Sequence, residues 1–181
     1  MEVICGRDDF DSTCVFNGCD YKKEFSPITK MRISVIKEVT NNSLIHPDVK
    51  KSFELLISNI KKSGHEINFV DMPILKYLVP SYYVLTTAEA SSNLARYDGI
   101  KYGFSERVKT NNWEELVQKT RSKGFGPEVK RRILLGSFVL SEGYYDDYYT
   151  KAQKVRRIVS EQTNKILEKS DFILMPTSPT I

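Results

Sequence analysis

The sequence predicts an α/β fold, mainly because a strand, a helix and a second strand follow one another in its first half. Residues 32–36 alternate polar and apolar side chains, which is typical of a strand, and residues 67–70 form a second short apolar segment. Between them, Pro47 occupies a favoured first helical position and Gly64 ends the helix. The helix has one apolar face, formed by Val49, Phe53, Leu56, Ile57 and Ile60. At this spacing we expect parallel strands joined by a right-handed crossover.

The other elements are shorter or irregular. Residues 1–6 have the pattern of a helix end, and residues 6–13, GRDDFDST, predict a tight turn because their acidic and hydroxyl side chains can bond nearby backbone. Residues 14–29 and 104–112 read as loops, whereas residues 113–121 predict a short helix. Near the end, residues 172–175 predict a strand, and Pro176 and Pro179 bracket an irregular segment.

A central helix is predicted within residues 80–103, PSYYVLTTAEASSNLARYDGIKYG. Bulky residues at helical spacing predict a buried face made of Tyr83, Thr87, Ala90, Leu94 and Tyr97. A second face has only small side chains, so another backbone can approach it; these are Ala88, Ser91, Ser92 and Ala95. A third stripe is polar, and its members can contact each other as on a solvated face: Glu89, Asn93 and Arg96. Asp98 and Gly99 then end the helix.

The next helix begins near Pro127 and is apolar on nearly all sides, which predicts a buried helix. Arg131 and Arg132 lie near its start, and Arg132 projects towards the gap that Gly136 leaves. A buried guanidinium needs an anionic partner, because leaving it unpaired costs roughly 3–5 kcal/mol. The pattern leaves two partners open, an internal carboxylate or the carboxylate of a substrate held by a two-pronged contact.

A further helical segment follows a glycine break and covers SEGYYDDYYTKAQKVRR. Its tyrosines form two pairs at i, i+4, typical of core or interface packing, with ligand stacking as the alternative. Four cations form a modest basic cluster, either a solvated face or a phosphate-binding patch. They are Lys151, Lys154, Arg156 and Arg157.

Length and composition indicate one globular domain, since 181 residues with 40% hydrophobic and 28% charged residues can bury a single core. No apolar run is long enough for a membrane span and no secretory leader is evident, so we expect a cytoplasmic or organelle-matrix protein without a membrane partner. The net charge of +4 is compatible with a nucleic-acid-bearing complex but does not identify one.

Metal and nucleophilic sites are not indicated. Three cysteines, Cys5, Cys14 and Cys19, lack Cys-x-x-Cys spacing, so free thiols are favoured over a zinc site. The sequence has no Gly-x-Ser-x-Gly elbow and no glycine-rich phosphate loop, and neither histidine has a Ser or Cys neighbour that forms a convincing dyad. Ser178, beside proline in PTSPT, is typical of a turn. We therefore expect no catalytic residue and no metal ligand in this chain.

Several motifs in order resemble the amidase-signature family, and within it the glutaminase subunits of tRNA-dependent amidotransferases. They are GRDDFDST, PSYYV, AEASSNLARYDGIKYG, RSKGFGPEVKRRILLG, GYYDDYYTKAQKVR and MPTSPT. The resemblance implies part of that family's α/β/α fold with a central mixed sheet, incomplete here. Residues 1–181 are expected to form a single incomplete amidase domain, the middle-to-late portion of a full subunit.

The resemblance also implies a function. The family hydrolyses amides with a lysine and two serines in a Gly/Ser-rich tract, and no such tract occurs here. The implied activity is release of ammonia from glutamine within a heterotrimeric ligase that converts misacylated Glu-tRNA(Gln) to Gln-tRNA(Gln). The implied partners are the B and C subunits, glutamine and, through the complex, Glu-tRNA(Gln). No cofactor is expected on this chain, which alone is expected to be inactive, whereas ATP and Mg²⁺ are expected on a partner subunit.

Two site residues are implied by the matched motifs: Tyr82 of PSYY and Arg132, the second arginine of KRR, are expected to hold the substrate glutamine. The neighbouring Tyr83 has the same chemistry as Tyr82, because either hydroxyl can donate or accept. The alternatives are a non-enzymatic module that binds protein or RNA through residues 144–157, and a fragment of an amidase of other specificity.

Overall fold

Three parallel strands form the sheet on which the other elements are arranged. The structure, a computed structural model, describes residues 5–15, 30–106 and 112–181. The strands are β1 (Arg32–Ile36), β2 (Glu66–Val70) and β3 (Phe172–Leu174), in the order β2-β1-β3. All three described strands are parallel, whereas the family resemblance implies a mixed sheet for a full subunit. The predicted α/β class is confirmed.

The helices connect and cover these strands. They are α1 (Lys37–Thr40), α2 (Pro47–Lys62), α3 (Leu78–Leu94), α4 (Trp113–Gly124), α5 (Pro127–Val139) and α6 (Lys151–Leu167). A 3-10 helix at Pro73–Tyr77 leads into α3, and a π-helical turn at Tyr145–Thr150 leads into α6. No described helix is both long and apolar enough to cross a membrane.

The βαβ unit forms as its sequence predicts. Pro47 begins α2, and the side chain of His46 accepts a hydrogen bond from the backbone of Asp48. Gly64 follows the helix with φ of 86°, a left-handed conformation that is costly for residues with a Cβ atom. Phe53 and Ile57 face the sheet and form the core with Val35.

The opposite face of the sheet contacts the end of α6. Ser34 of β1 and Ser170, which follows α6, are both buried, and their hydroxyl oxygens lie 2.5 Å apart. Ser170 also donates to the carbonyl of Ile166 at 2.7 Å, so Ser34 donates to Ser170. Both faces of the parallel sheet are therefore in contact with helices, as such sheets require.

The central helix differs from its prediction in bounds and in buried face. It begins at Leu78 and ends at Leu94, one turn before Gly99. Thr87 is buried, but Tyr83 and Tyr97 are about half exposed, so the predicted bulky face is only partly covered. The polar stripe forms as expected, since Asn93 bonds both Glu89 and Arg96.

The prediction that α5 is a buried helix is wrong. Gly136 and Val139 are buried, but Leu134 is 71% exposed, and Leu135 and Phe138 are also exposed. A helix with apolar side chains all around its axis is buried only if other elements pack on all its sides. Within the described residues, α5 packs chiefly on α3, so its other sides stay exposed.

The predictions of a turn at residues 6–13, a short helix from Trp113 and a strand from Phe172 are confirmed. In the turn at residues 6–13, Asp11 accepts from the backbone and hydroxyl of Thr13. The tyrosine pairs form as expected, with ring centroids 6.1 Å apart for Tyr144 and Tyr148 and 5.0 Å apart for Tyr145 and Tyr149. Cys19, most of the predicted helix end at residues 1–6 and much of both predicted loops lie outside the described residues.

Candidate functional site

The candidate site lies on the paired helices α3 and α5, which approach each other unusually closely. A Cβ atom added to Gly136 would collide with the backbone carbonyl of Thr87 and the side chain of Ser91. Beside this contact, the hydroxyls of Ser91 and Ser137 lie 3.1 Å apart. The predicted close approach of a backbone to the small-residue face of α3 is therefore confirmed at Ser91.

The close contacts between α3 and α5 lie in the second half of each helix. Thr87 meets Gly136, Ser91 meets Ser137, and the phenol of Tyr83 lies close enough to Arg131 to affect its pKa. Tyr82 and Arg132 each precede these contacts by about one turn of their own helix.

Tyr82 projects from the first half of α3 and is 55% exposed. Its ring contacts the ring of Tyr83 edge to face, with centroids 5.6 Å apart. Its hydroxyl forms no hydrogen bond with the part of the chain that the structure describes, so both its donor and its acceptor capacity are available.

Arg132 is not buried, contrary to the sequence-based expectation. Its side chain is 41% exposed, and its Nε donates to Oε1 of Glu128 at 2.9 Å. Of the two partners that the sequence left open, this structure contains the internal carboxylate. The two terminal guanidinium nitrogens of Arg132 form no hydrogen bond with the described residues, so they remain available to a ligand.

Glu128 joins both arginines in one ionic cluster. Its Oε2 accepts from Nε of Arg131 at 2.8 Å, and its Oε1 accepts from a terminal nitrogen of Arg131 at 3.0 Å. The hydrogen bonds from Arg131 and then from Arg132 lower the pKa of Glu128 to about 2. The hydrogen bond with Glu128 in turn raises the pKa of Arg131, and Tyr83 adds a smaller effect in the same direction.

Tyr82 and Arg132 lie on two helices that contact each other, but they do not bond each other. Their neighbours interact electrostatically, since the phenol of Tyr83 contributes to the raised pKa of Arg131. The sequence-based prediction missed Glu128 as a site residue. The spacing Glu-x-x-Arg-Arg was sufficient to find it, because it puts both arginines within i, i+3 and i, i+4 reach of the carboxylate.

The described residues contain no cluster of His, Cys, Asp and Glu able to hold a metal ion. Both histidines have structural partners, since His46 caps α2 and Nδ1 of His65 accepts from the backbone of Met31. Ser178 contacts Thr180, a hydroxyl rather than a base. Cys5 and Cys14 are free thiols.

Two further surfaces have a concave shape that could receive a ligand. A largely apolar cleft of about 720 Å³ lies where β1 and β3 end, next to Met72, Val159 and Pro179. A shallower groove of about 500 Å³ on α6 is lined by Lys154, Arg156 and Arg157. In the basic cluster, Lys151 pairs with Asp147 and Arg157 with Glu161, each at 2.8 Å, which is typical of a solvated helix face.

Comparisons with known proteins agree along nearly the whole chain. The family model described as Amidase matches residues 1–181. The A subunit of glutamyl-tRNA(Gln) amidotransferase from Sulfurimonas denitrificans is 47% identical over 99% of this chain and 39% of its own length. The protein of the same name from Thermotoga maritima is 43% identical over 99% of this chain and 37% of its own length.

A crystal structure of the Thermotoga maritima protein, again the A subunit of glutamyl-tRNA(Gln) amidotransferase, matches with a TM-score of 0.60 and 35% identity. The match covers 99% of this chain and 34% of that chain. This chain therefore spans about two fifths of the length of the curated relatives it matches. Because the family model covers every residue, the chain belongs to the amidase family.

Proposed function

We propose that this chain forms part of the glutamine-hydrolysing subunit of a tRNA-dependent amidotransferase, and that Arg132 and Tyr82 hold the glutamine. The observation that carries the proposal is 43–47% identity, over 99% of the chain, to proteins named as the A subunit of glutamyl-tRNA(Gln) amidotransferase. The geometry supports the site, because the helices that carry these two residues contact each other directly.

Arg132 is suited to the α-carboxylate of glutamine. A guanidinium presents a planar fork that matches a carboxylate with two parallel hydrogen bonds, and both terminal nitrogens of Arg132 are available. Tyr82 adds a hydroxyl that can donate to the carboxylate or accept from the α-amino group. Together they provide orientation of the substrate rather than the attack on its amide.

In this proposal, the attack on the glutamine amide is made by residues outside this chain. The chain has no Gly/Ser-rich tract with a lysine and two serines, and its described serines and histidines form no nucleophile–base pair. In this proposal the chain alone is inactive. In the complete heterotrimer, B and C subunits are the partners, Glu-tRNA(Gln) accepts the ammonia, and ATP and Mg²⁺ bind to a partner subunit.

The variant Arg132→Ala tests the site in the assembled amidotransferase that contains this chain. Loss of charge-assisted hydrogen bonds of about 1.5–3 kcal/mol raises KM for glutamine by roughly 10- to 150-fold. The matched control is Arg157→Ala, since Arg157 is also an exposed arginine whose Nε is paired with a glutamate at i, i+4. We expect the KM of Arg157→Ala for glutamine to stay within twofold of that of the parent. An unchanged KM in Arg132→Ala contradicts the assignment of the site and favours a scaffolding role.

A further inference from the structure

Glu128 contacts the candidate substrate arginine, yet neither the sequence motifs nor the proposed function gives it a role. It lies in the first turn of α5 and bonds Arg132 only through Nε, at 2.9 Å. This leaves the outer edge of the guanidinium, with both terminal nitrogens, unoccupied by the described residues. A carboxylate at Nε therefore restricts the plane of the guanidinium without occupying the edge that would bind a ligand.

Arg131 keeps Glu128 in this position. It donates to both carboxylate oxygens, at 2.8 and 3.0 Å, so Glu128 cannot rotate towards the outer edge of Arg132 without breaking two charge-assisted bonds. Two guanidinium groups and one carboxylate also leave the cluster with a net charge of +1. An incoming carboxylate thus meets a positive, already oriented group.

We propose that Glu128 is a positioning residue for substrate binding, which orients the terminal nitrogens of Arg132 towards the α-carboxylate of glutamine. The proposal rests on the proposed function, because it assumes that Arg132 binds that carboxylate. In this proposal Arg131 does not bind the substrate but fixes the carboxylate of Glu128 through two hydrogen bonds.

Glutamine kinetics of Glu128→Ala, in the assembled amidotransferase, test this role. Losing the hydrogen bond that orients Arg132 raises KM about three- to tenfold, while kcat stays within twofold. Glu128→Gln keeps one oxygen acceptor and gives an intermediate KM. The matched control is Glu161→Ala, because Glu161 also accepts from an arginine Nε, at 2.8 Å, and is 54% exposed against 53% for Glu128. Its KM is unchanged.

A substrate analogue separates positioning from a structural role. 4-Aminobutanamide is glutamine without the α-carboxylate, so a change that acts through Arg132 leaves its kcat/KM unaltered. If Glu128→Ala lowers kcat/KM equally for glutamine and for this analogue, Glu128 acts on the structure and the proposal is wrong. A lower KM for glutamine also contradicts it, because Glu128 then competes with the substrate.

Arg132→Ala distinguishes failure of this proposal from failure of the proposed function. If KM for glutamine is raised in Arg132→Ala but unchanged in Glu128→Ala, the positioning role of Glu128 is refuted and the glutamine site stands. If KM is unchanged in both variants, the assignment of the glutamine site to Arg132 is refuted as well. Carbon NMR of the chain itself provides an independent reading, with the Glu128 carboxyl titrating at a pKa of about 2. An ordinary glutamate pKa, about 4.3, shows that the cluster does not form and overturns the proposal.

Discussion

Replacing Gly136 with alanine tests the close contact that holds α3 against α5. Two opposing effects decide whether this substitution raises or lowers the free energy of unfolding. Alanine in a helix interior is favoured over glycine by about 0.5–1 kcal/mol, because glycine loses more backbone freedom on folding. Against this, the added methyl meets the Thr87 carbonyl and the Ser91 side chain, and a backbone carbonyl has no rotamer that moves it aside.

The steric effect is the larger of the two. Overpacking a tight contact costs typically about 1–3 kcal/mol, and a clash with backbone falls in the upper half of that range. We therefore expect Gly136→Ala to lower the free energy of unfolding by about 1–2 kcal/mol. For a chain of this size, that corresponds to a decrease in Tm of roughly 2–8 °C.

Chemical denaturation of the two proteins, followed by circular dichroism, measures the difference. Gly124→Ala is the matched control, because Gly124 is also helical but its added methyl meets only the exposed ring of Phe104, which can move. We expect its free energy of unfolding to stay within about 1 kcal/mol of the parent. A Gly136→Ala protein as stable as the parent refutes the close contact between the helices.

Two further predictions concern stability. Ser170→Ala leaves the buried Ser34 hydroxyl without an acceptor, so it lowers the free energy of unfolding by about 1–3 kcal/mol. Ser34→Ala keeps the hydrogen bond from Ser170 to Ile166 and lowers it by less, about 0.5–1.5 kcal/mol. Equal losses for the two variants on urea denaturation contradict the donation from Ser34 to Ser170. The hydrogen bond from Arg32 lowers the pKa of Asp171, so its stabilisation is complete above the unfolded pKa and is lost as pH falls through the folded one. The stability difference between the parent and Asp171→Asn should therefore be constant above about pH 5 and shrink below about pH 4, and a constant difference down to about pH 2 refutes it.

The elements predicted well are those whose signals are local. The first strand alternates polar and apolar residues, and α2 begins at a proline and is followed by Gly64 with a positive φ, so their positions depend on a few neighbouring residues. The close approach at Gly136 also had a local signal, in the small residues of α3 and the absent side chain of the glycine.

Burial was predicted less well, because it depends on which elements pack together. The apolar residues of α5 predicted a buried helix and a buried Arg132, yet Leu134 is 71% exposed and the Arg132 side chain is 41% exposed. Periodicity shows which side chains avoid water but does not show what covers them. The assignment of Tyr82 rests on motif resemblance, and the structure adds that its neighbour Tyr83 contributes to the raised pKa of Arg131.

Ammonia release from glutamine is the decisive assay for the proposal that this chain holds glutamine but lacks the nucleophile. It compares the chain alone with the chain mixed with polypeptides that supply the remaining length of one of the full-length relatives. We expect no release from the chain alone, release after mixing, and a raised KM for glutamine when the chain has Arg132→Ala. Release of ammonia by the chain alone would contradict the proposal.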